Sequence, residues 1–364
     1  MNPRKPVLVR ITNNLGLGGV QRRLRDLLPR LAEHFAVHVI TYKDRGVFFE
    51  ELRDHGVTPH FLPRRFPAVA RLAAFLGRLE PTIVHTHSYG GNVLGLPAAR
   101  LVGAPVRVGH VHLAHLHWYA ASPWRRRLQA RKEALVHRLA SHAVCCVSEE
   151  ARQHFLAGTG LAPSRVVVLE NGIRRPPEHV TPMSRAALGV PPGAVVLGMA
   201  GRITRTKGFA QGISWMAQTP PQFHLVVAGP GDTTALERHA HALGLHGRVH
   251  FLGPLTDMPA FYAALDLLLF PSPPGVEGMP GIVLEALGMG CAVLAQESGP
   301  LREMAPVAPR LHFFRPELPA AAQMEAAMAS PAADLAPFFA RFSLEAMVER
   351  TLHLYETLLR QGRP

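Results

Sequence analysis

Cysteine is scarce. The 364 residues contain three, Cys145, Cys146 and Cys291, and none stands in a C-x-x-C pair. That excludes a zinc ribbon, a thioredoxin-type redox motif and a disulfide scaffold, and it fits a reducing cytoplasm. Long apolar runs are missing too. No stretch of ~18 uncharged apolar residues occurs, so no helix is expected to span a bilayer. The opening MNPRKPVLVR lacks the apolar core of a signal peptide. Internal repeats and low-complexity tracts are absent. Negative charge fails to balance positive charge in one half only: residues 1–180 hold 26 Lys and Arg against 12 Asp and Glu, and residues 181–364 hold 13 against 14. A basic first half suggests an anionic partner such as a phosphate, a nucleic acid or a lipid headgroup surface; a solvated basic face is the bland alternative.

Against these absences stands an ordinary globular composition, 48% hydrophobic and 18% charged. Its length predicts two domains. Short apolar runs at 7–11, 37–42, 82–85, 106–112, 143–147 and 165–169 alternate with helical patterns. Val20, Leu24, Leu27, Leu28 and Leu31 form one such helix face. Five prolines between 174 and 192 read as an interdomain linker. A second series of strands follows at 195–200, 223–228, 249–252, 267–270 and 292–295. This alternation predicts two α/β domains with parallel sheets, residues 1–178 and 190–342. A last helix near 343–359 must bury its apolar face somewhere, and the first domain is the expected place.

Three motifs carry chemistry. Gly16, Gly18 and Gly19 form a glycine-rich turn between a strand and a helix start, where backbone N–H groups favour an anion. Gln21 spoils the third glycine of a dinucleotide fingerprint. Arg202 and Lys207 follow the strand 195–200, at the end of a sheet where α/β proteins bind ligands. Glu277 and Glu285 lie eight positions apart in EGMPGIVLEA, one in a Gly/Pro loop and one in the helix behind it. Such carboxylates suit ligand hydroxyls; a helix-capping acid and a surface acid are the plain alternative.

The block PSPPGVEGMPGIVLEALGMGCAVLA resembles the Glu-x7-Glu signature of the family-4 retaining glycosyltransferases. GRITRTKG, LDLLLFPS and SGPLREMA resemble their neighbouring blocks in the same order. GLGGVQRRL, VHTHSYGG, CCVSEEAR, ENGI and the final FSLEAMVERTLHLYETLL resemble the rest. The resemblance implies an α/β protein of GT-B architecture: two Rossmann-like domains, an interdomain cleft, and a C-terminal helix (343–364) crossing back to an acceptor-binding first domain. It implies a nucleotide-sugar donor, UDP- or GDP-linked, as co-substrate, with no other cofactor. Arg202 and Lys207 would bind the diphosphate and Glu285 the ribose. Glu277 would bind the sugar, aided by the N–H groups of Gly278 and Met279, with Ile282 and Val283 completing the donor set. Gly18 and Gly19 would let the N-terminal loop approach. Pro280 stands where many members have Gly and offers no N–H.

Histidines need separate weighing. His85 and His87 share one strand face, as do His110 and His112 on the next. A metal reading finds no Cys or carboxylate beside them, so no metal is expected. The resemblance instead places His110 or His112 near the anomeric carbon, leaving the choice open; His115 and His117 extend the run. No D-x-D tripeptide occurs, in keeping with cations rather than Mg²⁺ neutralising the diphosphate. The implied function is glycosyl transfer, with retention and without metal, to a lipid-linked or cell-envelope glycan precursor. Alternatives are a small soluble acceptor (aminocyclitol, inositol phosphate or natural product) or a non-catalytic GT-B binding protein. The cluster HWYAASPWRRR with Arg131 and Lys132 suggests either an anionic membrane surface or an acceptor-side loop. The expected setting is the cytoplasm and the inner face of the cell membrane, with no nucleic-acid partner.

Overall fold

The computed structural model describes residues 5–114 and 122–361. The chain divides into two compact units. One takes in the chain up to Arg174 and again from Phe342, and the other runs Arg175–Arg341. Each is a parallel sheet wrapped by helices.

The first unit has seven strands: β1 (Val7–Thr12), β2 (Ala36–Thr41), β3 (Val57–Phe61), β4 (Ile83–His87), β5 (Val106–Val111), β6 (Ala143–Cys146) and β7 (Val166–Val168). Their order is β3-β2-β1-β4-β5-β6-β7, and every pair is parallel. The order reverses between β1 and β4, which makes the loops after these strands a ligand crevice by topology. Leu24, Leu27, Leu28 and Leu31 turn the apolar face of helix Gly19–Leu31 onto the core, each nearly fully buried. Burial of each leucine stabilises by roughly 2 kcal/mol. The terminal helix Leu344–Gln361 packs into the same core through Met347 and Tyr355. Ile173 pairs with Ser343 where the chain re-enters the unit.

The second unit has six strands: β8 (Val195–Ala200), β9 (Phe223–Ala228), β10 (Val249–Gly253), β11 (Leu267–Phe270), β12 (Val293–Ala295) and β13 (Leu311–Phe313). Their order is β10-β9-β8-β11-β12-β13, again all parallel, with the reversal between β8 and β11.

The proline-rich stretch does not behave as a free linker. From Arg175 onward it belongs to the second unit: the Met183 N–H donates to the Ala260 carbonyl, Arg185 donates to the Ala264 carbonyl, and Leu188 and Val190 are buried. Prolines there remove donors, and the N–H groups of Leu188, Gly189 and Val190 close a local turn onto the Ser184, Ala186 and Arg185 carbonyls.

Candidate functional site

The second unit gathers its motif residues at its switch point. The loop after β8 carries Gly201, exposed Arg202 and half-buried Lys207; the loop after β11 carries Glu277. The two loops are stitched together. Ser272 donates to the Lys207 carbonyl at 3.3 Å. Gly208 has φ 71°, and a Cβ there would strike the Pro271 carbonyl, so only glycine lets the loops close. Lys207 Nζ forms an ion pair with Glu277 Oε1. Burial, and then the charge of Arg202, lowers the Lys207 pKa to about 8.

Helix Gly281–Gly288 opens directly behind this pair. Pro280 caps it, its carbonyl accepting from Val283 and Leu284 N–H. The missing N–H of Pro280 therefore costs the helix nothing. Ile282 reaches back to Gly201. Glu285, one turn in, accepts a 3.0 Å hydrogen bond from Tyr262 on helix Met258–Ala263. Gly278 and Met279 are buried beside the loop. Val283 is fully buried and its N–H bonds within the helix, so it contributes packing. Arg202, Lys207, Glu277 and the helix start thus share one place. Tyr262, which nothing in the sequence marks, holds Glu285.

The first unit builds a different cluster. Gly18 caps helix Gly19–Leu31 without a side-chain bond; a Cβ on it would strike the Gln21 amide, while one on exposed Gly19 would meet nothing. Gln21 and Gly16 N–H both donate to Asn14 Oδ1. Beside this turn, β1, β4, β5 and β6 stack Arg10, His85, His87, His110, His112 and Cys145. Arg10 is 1% exposed. Its Nη1 lies 3.0 Å from His87 Nε2, and His87 Nδ1 lies 3.0 Å from His112 Nε2. A guanidinium only donates, so His87 Nε2 accepts and Nδ1 carries the proton. His112 Nε2 then accepts in turn, which leaves its own proton on Nδ1. Burial, and then Arg10, drops the His112 pKa to about 3; burial leads the lowering of His85, His87 and His110 as well. All four are neutral.

His85 bonds Tyr355 Oη at 2.8 Å and His110 at 3.2 Å. His110 Nε2 is buried without a hydrogen-bond partner among the described residues. His112, just past β5, is half-buried, and with Arg10, His87, His110, Glu170 and Asn171 it lines a small cavity. Ser88, next to His87, has a left-handed backbone (φ 61°), rare for a side-chain-bearing residue and often found at functional turns.

One expectation is corrected. A cysteine does join the histidines: His110 pairs in register with Cys145, so both point to one face, and donor atoms of His85, His110 and Cys145 lie within 4.8 Å of one another. His87, His110 and His112 form a second such trio. The buried Arg10 cation beside them opposes a further positive charge. Arg10 was not among the expected site residues; its one signal in the sequence is a lone charge inside VLVRIT. His115, His117 and residues 118–121 lie outside the described residues.

Comparison with known proteins gives these clusters a family. Residues 17–175 match the Glycosyltransferase Family 4 model and residues 194–320 the Glycosyl transferases group 1 model. EpsF of Bacillus subtilis (strain 168) is 27% identical over 82% of this chain and 81% of its own. The UDP-Gal:alpha-D-GlcNAc-diphosphoundecaprenol alpha-1,3-galactosyltransferase of Escherichia coli is 26% identical over 76% of each chain. Among solved structures, Anabaena HepE in complex with UDP and glucose superposes with a TM-score of 0.79 at 19% identity, covering 97% of this chain and 100% of that one. The chain belongs to the glycosyltransferases of GT-B fold, a Glycosyltransferase Family 4 domain followed by a glycosyl transferases group 1 domain, and is an enzyme that acts on a sugar donor.

Proposed function

We propose that the protein is a retaining glycosyltransferase that moves a hexose from a UDP-sugar to a hydroxyl of a lipid-linked glycan precursor. The observation that carries this reading is the Lys207–Glu277 pair with Arg202 beside it, at the ends of β8 and β11. The cations answer a diphosphate; the carboxylate, half-buried in the Gly/Pro loop, answers sugar hydroxyls. When the diphosphate enters, Lys207 exchanges part of its contact with Glu277 for phosphate oxygens, and Glu277 turns to the sugar. Glu285, held by Tyr262, takes the ribose diol. Gly278 and Met279 supply backbone groups at the sugar.

In the transfer step the bond from the anomeric carbon to the leaving diphosphate oxygen breaks. The bond from that carbon to the acceptor oxygen forms on the same face, and the acceptor proton passes to the departing diphosphate. Arg202 and Lys207 stabilise the charge growing on the leaving group, so the positive charge comes from side chains. On the first unit, His112 rather than His110 meets substrate: it lines the cavity half-buried and presents an Nδ1–H whose polarity Arg10 fixes. His110 Nε2 is enclosed. UDP in the HepE structure and the diphosphoundecaprenol of the Escherichia coli relative support this choice of donor and acceptor.

The test offers purified protein UDP-, GDP- and ADP-sugars by thermal shift and calorimetry, then the bound donor with a polyprenyl-diphosphate sugar or a soluble aminocyclitol. The anomeric configuration of the product is read by proton NMR. Selective UDP-sugar binding and a retained linkage on the lipid acceptor are expected. An inverted linkage refutes the mechanism, and turnover on the soluble acceptor alone refutes the acceptor.

A further inference from the structure

We propose that helix Pro123–Ala140 is a docking face for an anionic lipid surface. The inference deepens the lipid-linked acceptor reading and rests on it only for its purpose, not for its evidence. Most helices in the protein bury their apolar side. This one buries Glu133, Ala134, His137 and Ala140 and leaves large apolar residues outside. Trp124 is 61% exposed, Leu128 59%, Leu135 55% and Leu139 56%. At ~100° per residue these four fall within an arc of about 60°, opposite the buried face. A stripe of that kind is anomalous on a water-facing helix, because among the described residues nothing covers it.

Charge says what covers it. Arg127 and Arg131 flank the stripe on one side, Arg125 and Lys132 on the other, and all four are exposed. The helix has a single acid, Glu133, and its carboxylate is turned inward to accept from Asn92 at 3.0 Å. The outward face therefore carries apolar and positive groups and no negative one. Arg138 is tied to the Thr159 carbonyl and is not counted. Basic residues bordering Trp and Leu are the composition of a helix that lies in the plane of an interface, rings and leucines among acyl chains and cations at headgroup phosphates. Single-stranded nucleic acid would use the cations and Trp124 but would leave three leucines in water.

Vesicles test the assignment with the full chain. Equimolar phosphatidylcholine and phosphatidylglycerol should bind it, phosphatidylcholine alone should not, and added salt should weaken the binding. In a Trp118→Phe background, Trp124 fluorescence should shift to the blue on binding, since Trp215 is already buried. The exposed triple variant Leu128→Ser, Leu135→Ser, Leu139→Ser should lose more than tenfold in vesicle affinity. Arg127→Gln, Arg131→Gln, Lys132→Gln together should lose about a hundredfold, near fivefold for each cation. Both variants should keep wild-type UDP affinity, which separates this proposal from the donor assignment. No binding to anionic vesicles at low salt overturns it. So does binding unchanged in both variants, binding abolished instead by Phe66→Ser (an exposed aromatic elsewhere on the first unit), or capture of an oligonucleotide with vesicles ignored.

Discussion

Lys207→Met should lower turnover by roughly 10²-fold while leaving the fold intact or slightly firmer, a combination that a merely structural lysine would not give. Burial and the neighbouring Arg202 move its pKa from 10.5 to about 8. At ~1.4 kcal/mol for each tenfold change in proton affinity, holding the ammonium charged at neutral pH costs the fold on the order of 3 kcal/mol. The side chain is 27% exposed and paired with Glu277. Loss of the pair strands a carboxylate, so the net gain on substitution shrinks to about 0–1 kcal/mol. Because the folded state disfavours the charged form, this cost is full below about pH 8 and fades as pH rises toward 10.5. Any stability advantage of the variant should fade over the same window. Activity runs the other way: wild-type kcat/KM should fall as pH climbs through about 8 and the free enzyme loses its ammonium. Lys207→Arg, which stays charged, should lack that alkaline limb. Thermal unfolding with and without UDP, and pH–rate profiles for the three proteins, supply the measurements. Wild-type turnover in Lys207→Met, or a loss of activity matched by a fall in Tm, would refute the reasoning.

Tyr262→Phe deletes the donor to Glu285 and should raise the Kd for UDP by roughly five- to tenfold; calorimetry showing no change contradicts the ribose assignment. Arg10→Met removes the group that fixes His87, so ¹⁵N NMR should show His112 passing from a single Nδ1–H tautomer to a mixture. The His85 and His87 pKa values should rise as the repelling cation goes. Burial pushes the Cys145 thiol up to about 12, so the folded protein should resist alkylation there at pH 8 and become labelled only on unfolding. Leu28→Ala, at a fully buried position, should cost about 2–5 kcal/mol in denaturant unfolding.

The central strands and the donor motifs were readable because their causes are local. Runs such as VVLGMA and LLLF are buried on both faces and so are continuously apolar, and the glycine and proline spacings around Glu277 dictate loops. Of the four edge strands, β7 and β10 were readable as short apolar runs and two were not. β3 (VTPHF) and β13 (LHF) were missed: an edge strand is short, and it tolerates Pro59 because one side of its ladder is unpaired. What joins Cys145 to His110 is the register between β5 and β6, 35 residues apart in the chain, and no local pattern encodes register across such a gap. The same holds for Tyr355 on His85 and Tyr262 on Glu285. Periodicity told that the terminal helix had an apolar face but not which histidine would meet it.

That terminal helix makes the first unit discontinuous, and the discontinuity has a temporal side. Tyr355, which closes over His85, leaves the ribosome after all of Arg175–Arg341. The inserted unit can therefore mature while synthesis continues, whereas the unit begun earlier must wait with its hydrophobic groove open. Such an interval invites a chaperone, and nascent chains stalled before residue 344 should resist protease in the later-encoded unit before the earlier-encoded one does.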